Sequence, residues 1–252
     1  MFDINLLRRG TPVPVKRVAR FVRRAIKAMV GKDHLMACDI ALPKQRYGSD
    51  WADWVLAPQY LSSRSVVYSF GLGRDISFEE SLIGDIGCEI QAFDPTPLSL
   101  DYVRSLNPNA KLHVHTFGLS SVDGEKYFGS PAEGDASFST RIDGSGGVRL
   151  PVRRLSTLTR EFGDDHIDLL KMDIEGEEYG VIDDMLAQGL LPYQLLVEFH
   201  HAWSIADLSD TKTTVQKLQA AGYRIFDISA AGREFSFAHA SLLQRAPSAS
   251  VV

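Results

Sequence analysis

The stretch Val66-Val67-Tyr68-Ser69-Phe70-Gly71-Leu72-Gly73-Arg74-Asp75 runs from an apolar segment straight into a glycine turn. Its β-branched and aromatic residues read as a short strand. Two glycines one residue apart let the chain turn sharply at the strand's carboxyl end, and let a ligand lie against main chain with no side chain in the way. An α/β nucleotide-binding unit begins like this. A Gly-x-Gly after an apolar run also makes an ordinary tight turn, so the reading rests on the strands and carboxylates spaced beyond it.

Downstream, Ile76 to Ile83 opens a helix, and Cys88 to Asp94 is a second strand ending in a carboxylate twenty-one positions beyond Gly73. In a βαβ unit the second strand lies beside the first, so Asp94 at its tip can reach a ribose. Pro95 and Pro97 stop the strand there. Capping the next helix, Leu98 to Leu106, is the plainer role for Asp94. Lys111 to Phe117 alternates as a third strand, with Gly118 to Ser121 at the edge where cofactor contacts fall. Residues 124–147 are rich in Gly, Ser and acids and read as a hairpin or mobile loop, either a solvated connection or a lid over an acceptor. Val148 to Arg153 is extended and Leu155 to Phe162 a short helix.

The densest stretch is Ile167-Asp168-Leu169-Leu170-Lys171-Met172-Asp173-Ile174-Glu175-Gly176-Glu177-Glu178: a strand, an acidic turn, and a helix ending before Gly189. Asp173 stands at a strand's carboxyl end, the edge where open parallel sheets bind ligands. Glu175, Glu177 and Glu178 suit the positive end of a helix dipole, which suffices for Glu177 and Glu178. Leu195 to Phe199 is a fifth strand whose exit carries Glu198, His200 and His201. A carboxylate inside an apolar strand is costly without a partner, so Glu198 is a candidate site residue. Adjacent histidines in extended chain point to opposite sides, so one acts and the other faces solvent. A helix closing over Val215 to Ala221, then strands Tyr223 to Ile228 and Glu234 to His239, complete the domain before a small-residue tail, 246–252.

Upstream, Val15, Val18, Ala19, Val22, Ile26, Met29 and Val30 repeat at helical spacing, with Lys16, Arg17, Arg20, Arg23, Arg24 and Lys27 opposite. This basic amphipathic helix lies in an extension over 1–40, and Pro12 and Pro14 place its start after them. It either packs on the domain with its basic face solvated, or contacts an anionic membrane surface or acidic partner through residues 15–30. Residues 1–32 hold nine Lys/Arg against Asp3 alone, leaving eighteen basic and thirty-one acidic residues in the rest. A body of net −13 does not suit nucleic acid. No run of eighteen apolar residues suggests a membrane span, and Met1 to Gly10 lacks the apolar core of a signal peptide. Cys38 and Cys88 have no pairing pattern and read as reduced thiols, which points to a cytoplasmic protein, at most peripheral to a membrane. Between Cys38 and Arg64, Trp51 and Trp54 beside Asp50 and Asp53 either wall an aromatic pocket or cap the core.

A dinucleotide turn wants a small residue where Ile76 stands, and Asp75 would repel a pyrophosphate. S-adenosylmethionine has no phosphate and presents an ammonium and a sulfonium that favour a carboxylate. Phe70, Gly71, Gly73, Asp75, Asp94, Gly118 and Asp173 are therefore the candidate cofactor contacts. With Tyr68-Ser69-Phe70-Gly71-Leu72-Gly73, Phe93-Asp94-Pro95 and above all Leu170-Lys171-Met172-Asp173-Ile174-Glu175-Gly176-Glu177-Glu178, the chain resembles the FkbM-type S-adenosylmethionine-dependent methyltransferases and their methyltransferase-like relatives over residues 45–243, inside a domain spanning 41–245. The resemblance implies an α/β fold with a Rossmann-like seven-strand class I methyltransferase sheet and helices on both faces. It also implies O-methylation of a hydroxyl on a sugar or other natural product, and a segment around Tyr47, Gly48 and Trp51 that approaches the cofactor.

Methyl transfer requires an acceptor oxygen positioned against the donor and a group to take its proton. His200 is the expected base, with His201 the alternative, and Asp173, Glu175 and Glu198 orient acceptor or base. No metal site is assigned, although a divalent ion on these carboxylates and His200 is compatible with their donor atoms. The partner is a small-molecule or glycan acceptor. The rival classes are a nicotinamide oxidoreductase, disfavoured by Asp75 and Ile76, and a non-catalytic binding module docking through the basic helix.

Overall fold

The computed structural model describes residues 13–29, 31, 33–50, 52–129, 148–201 and 206–247. The chain opens with α1 (Val13–Met29), then a small antiparallel hairpin of β1 (Gln45–Tyr47) and β2 (Trp54–Leu56). The α/β part continues as β3 (Val67–Phe70), α2 (Ser77–Ile86), β4 (Ile90–Phe93), α3 (Pro97–Ser105) and β5 (Leu112–His115). A side sheet is built from β6 (Gly118–Leu119), β7 (Gly124–Phe128) and β8 (Val148–Arg153). Then come α4 (Leu155–Phe162), β9 (Leu169–Met172), α5 (Glu178–Ala187), β10 (Gln194–Glu198), α6 (Leu208–Ala220), β11 (Tyr223–Ile228), β12 (Glu234–His239) and α7 (Ala240–Leu243).

Seven strands form the main sheet in the order β11-β12-β10-β9-β3-β4-β5. The five from β10 to β5 are parallel, while β12 runs antiparallel to both β10 and β11. Strand order reverses at β3, which lies between β4 and β9, so the topological switch point falls where the glycine turn leaves the sheet. Alternate residues of each strand feed opposite layers. Tyr68, Phe70, Leu170, Met172, Leu195 and Val197 pack with α4, α5 and α6. Val67, Leu169 and Leu196 pack with α2 and α3. Burial on both faces explains why these strands read as apolar runs.

Local chemistry sets several boundaries. The Asp207 carboxylate accepts hydrogen bonds from the Ser209 and Asp210 amides while that of Asp210 accepts from the Asp207 amide, a reciprocal cap that starts α6. Gly87 and Gly163 end α2 and α4 with φ of 74° and 76°. The boundary expected after Pro14 is corrected: α1 begins at Val13 and takes Pro14 into its first turn, where a missing amide proton costs nothing.

The orientation of α1 is the larger departure from expectation. Val15, Val18, Phe21, Val22, Ile26 and Met29 are exposed, while Arg24 is buried. Arg24 Nε donates to the His34 carbonyl at 2.9 Å and Nη1 to the Ser229 carbonyl at 3.2 Å. The helix thus turns Arg24 toward an acidic body and its apolar stripe outward. The segment from residue 124 to residue 147 forms strand β7 against β8 as far as Phe128. Residues 130–147, Trp51, Trp203 and the tail beyond 247 lie outside the described residues, and with them the expectations of a lid and of a Trp51 contact.

Candidate functional site

A cavity of about 550 Å³ opens along the carboxyl edge of the main sheet. Its floor is made by the chain leaving β3, β4, β9 and β10: Phe70 to Asp75, Phe93 to Thr96, Asp173 to Glu175, and Glu198. Gly118 closes one side, Trp54 and Asp53 of the β1–β2 region another, and Asp227 to Ala231 with Arg20 of α1 a third. Every expected cofactor contact, together with Glu175 and Glu198, lines this space. His200 and His201 do not.

The glycine turn is held by Asp94. Its Oδ2 accepts from the Leu72 and Gly73 amides at 3.0 and 3.1 Å, and its Oδ1 from the Thr96 amide and hydroxyl at 2.9 and 2.6 Å. A carboxylate offers about four acceptor positions, so Asp94 is engaged in shaping the turn rather than projecting free lone pairs at a ribose. Gly71 has φ of 81°, and a Cβ there would overlap the carbonyl oxygen of Asp173. Asp75 Oδ1 accepts from the Ser77 amide at 2.8 Å at the start of α2, and its Oδ2 from the Ser49 hydroxyl at 2.6 Å. Burial works against ionisation of Asp75, but the bonds from Ser49 and Ser77 outweigh it and hold its carboxyl below the ordinary range.

Beneath the turn is a polar group that the sequence alone does not announce. Lys171 on β9 is buried, donates to the Gly71 carbonyl and lies 5.6 Å from the Trp54 ring centroid. Glu79 on α2 accepts from the Ser69 hydroxyl at 2.6 Å, and its other oxygen has no hydrogen-bond partner among the described residues. Burial pushes the Glu79 carboxyl up, against the opposing pull of Lys171. Both side chains line the cavity. The signal that could have found them is period two: Ser69 and Lys171 share the face of Val67 and Leu169, where a polar residue needs a partner.

At the exit of β10 the two histidines part. His200 is buried, with Nδ1 2.8 Å from Glu178 Oε1, and Nε2 3.4 Å from Glu175 Oε2 and 3.8 Å from Asp173 Oδ1. Burial alone would lower its pKa, but Glu178, Asp173 and Glu198 override that and push it up to about 10. His200 does not line the cavity and stands behind its wall, held by Glu178. His201 is half-buried, with its side chain turned inward rather than to solvent. Its ring lies 5.5 Å from that of His34 and its Nε2 3.9 Å from Asp33, on the side of α1.

The expectation that Glu178 serves the helix dipole alone is corrected. This residue is fully buried, accepts from the Ile174 and Gly176 amides at 3.1 and 3.0 Å, and fixes His200. Glu177 accepts from Ser120 and Lys126, tying α5 to the side sheet. Glu198 lines the cavity 3.3 Å from Arg233, and in the sheet register it stands opposite Glu234. Burial foremost, then the neighbouring Asp173 and Glu234, raises its pKa well above the ordinary value. The lining as a whole carries nine carboxylates against Arg20, Arg46, Arg74 and Lys171. This balance suits a cationic ligand and opposes a polyphosphate.

Residues 65–225 match the model of the methyltransferase FkbM domain. The chain belongs to the FkbM methyltransferase family. Among curated proteins, this FkbM-family chain is 24% identical over 222 residues to the human "Probable methyltransferase-like protein 24", an alignment covering 82% of the chain and 56% of that protein. It is 26% identical over 181 residues to the protein of the same name in Rattus norvegicus, covering 68% and 45%. The chain spans about half the length of the curated relatives it matches. No solved structure matches it. Family membership accounts for the seven-strand sheet and puts the chain among methyltransferases.

Proposed function

We propose that the protein is an S-adenosylmethionine-dependent methyltransferase acting on a hydroxyl of a sugar or other small natural product. One observation carries the choice of donor. At the amino end of α2, where a dinucleotide's pyrophosphate would sit, the protein's own Asp75 accepts from the Ser77 amide. The Glu79 oxygen that has no partner among the described residues and the carboxylate-rich lining fit a ligand bearing an ammonium and a sulfonium. When bound, S-adenosylmethionine supplies an electrophilic methyl group. The chain's own residues do the rest. Gly71 and Gly73 keep the turn open, Asp94 holds its shape, Phe70 stacked on Phe93 at 4.3 Å forms an apolar floor, and Gly118 leaves room at the side. Asp173 and Glu175 orient the acceptor. Glu198, the carboxylate that lines the cavity at the end of β10, takes the acceptor's proton in place of His200, which positions the acidic turn from behind.

Calorimetric titration with S-adenosylmethionine and, separately, with NADH tests the donor, and a labelled-methyl screen against hydroxyl acceptors tests the reaction. Binding of the first alone, with transfer lost in Glu198→Gln, supports the assignment. Binding of NADH alone overturns it in favour of an oxidoreductase, and donor binding without transfer across broad acceptor panels favours a binding module.

We further propose that α1 rests on an anionic membrane surface through Val15, Val18, Phe21, Val22, Ile26 and Met29. This stripe is exposed along the helix, and the exposed Arg23 of the same helix complements acidic lipid headgroups where the net −13 body would not. No described helix is long and apolar enough to cross a membrane.

A further inference from the structure

We infer that Asp173, Glu175 and His200 form a binding site for one divalent metal ion at the floor of the cavity, a site that goes beyond the methyl-transfer reading and stands on geometry alone. One ligand atom from each residue lies within 4.8 Å of the other two. The separations from His200 Nε2, 3.4 Å to Glu175 Oε2 and 3.8 Å to Asp173 Oδ1, exceed ordinary hydrogen bonds. They fall in the range for ligands that share an ion: metal–donor bonds of roughly 2.1 Å put neighbouring ligands about 3 Å apart and opposite ones just over 4 Å.

Three further features point the same way. Asp173 Oδ1 is shut off from solvent and has no hydrogen-bond partner among the described residues. His200 is only 2% exposed, and its Nδ1 is fixed by the fully buried Glu178 at 2.8 Å, so that Nε2 faces the two carboxylates. A carboxylate behind one imidazole nitrogen with the other aimed at an ion is the usual outer-shell support of a metal-bound histidine. Glu175 takes the left-handed conformation, φ 56°, one that a residue with a side chain seldom adopts away from functional sites.

Two carboxylate oxygens and one imidazole nitrogen favour Mn²⁺ over Mg²⁺, which prefers oxygen throughout. Asp173 and Glu175 border the cavity while the donor oxygens themselves are closed off from solvent, which puts the ion just behind the cavity wall.

The test uses Mn²⁺ alone with the full chain and no methyl donor, so its outcome is independent of whether methyl transfer occurs. Electron paramagnetic resonance monitors loss of the hexaaqua Mn²⁺ signal on binding. One ion per chain is expected, weakened at least tenfold in Asp173→Asn, Glu175→Gln and His200→Gln. Thermal unfolding of each variant shows which are folded, and Glu175, at the cavity wall, is the substitution least exposed to loss of the fold. An undiminished free signal at millimolar Mn²⁺, or binding unchanged in the folded variants, overturns the site.

Discussion

Glu178 Oε1 and His200 Nδ1 are 2.8 Å apart, and both side chains are closed off from solvent. Removing one member of a buried charged pair strands the other, at a cost of about 3–5 kcal/mol. Glu178→Ala should lose that much unfolding free energy in urea titrations, and Glu178→Gln, which retains an acceptor, distinctly less. A loss below about 1 kcal/mol in Glu178→Ala would mean that the pair does not anchor the acidic turn.

The two glycines of the β3 turn should respond differently to the same change. At Gly71 the obstacle is the backbone oxygen of Asp173, which cannot step aside. Gly71→Ala should therefore destabilise the protein and abolish calorimetric binding of S-adenosylmethionine. A Cβ at Gly73 meets nothing within 4 Å, so Gly73→Ala carries only the strain of φ 55°, about 1–2 kcal/mol, with weakened but measurable binding. Equal effects would contradict this geometry.

His34 should make the attachment of α1 sensitive to acid. Burial foremost, then the Arg24 guanidinium, lowers its pKa from 6.5 to about 4, with a weaker repulsion from His201 and an opposing attraction from Asp33. The folded protein thus holds His34 neutral where the unfolded chain protonates it. Its stabilising contribution is complete above about pH 6.5 and lost as pH falls toward 4, by up to about 3 kcal/mol. Unfolding free energies measured across this range should fall more steeply for the wild type than for His34→Gln. Parallel profiles would remove His34 from the account.

Phe21→Asp with Val22→Asp alters two exposed side chains of α1. Co-sedimentation with phosphatidylserine vesicles is expected for the wild type and lost in the double variant, while neutral phosphatidylcholine vesicles retain little of either. Failure of the wild type to sediment with anionic vesicles, or concentration-dependent dimerisation abolished by the same changes, would reassign the stripe.

Most of the sheet was legible because burial on both faces leaves a strand few choices. Apart from Ser69 and Lys171, Val67 to Phe70, Leu169 to Met172 and Leu195 to Val197 are apolar runs bounded by glycines and acids, and the carboxylates at their ends line the cavity. Partnerships across the fold were less visible. Glu178 looks like any acid in a helix's first turn until β10 brings His200 beside it. Lys171 looks like a strand residue until Trp54 and Glu79 arrive from other elements. The α1 pattern gave the helix but not its direction of facing, because a periodic sequence defines two faces and only the acidic body decides which one docks.

That facing has a geometric consequence. Arg20 of α1 lines the cavity while Val18, Phe21 and Val22 face away from the body. With the stripe on a lipid surface, α1 becomes a spacer whose thickness, about 10–12 Å, sets the height of the cavity mouth above the headgroups. Acceptors would then be sorted by how far their hydroxyl stands out from the bilayer, a selection by reach rather than by shape.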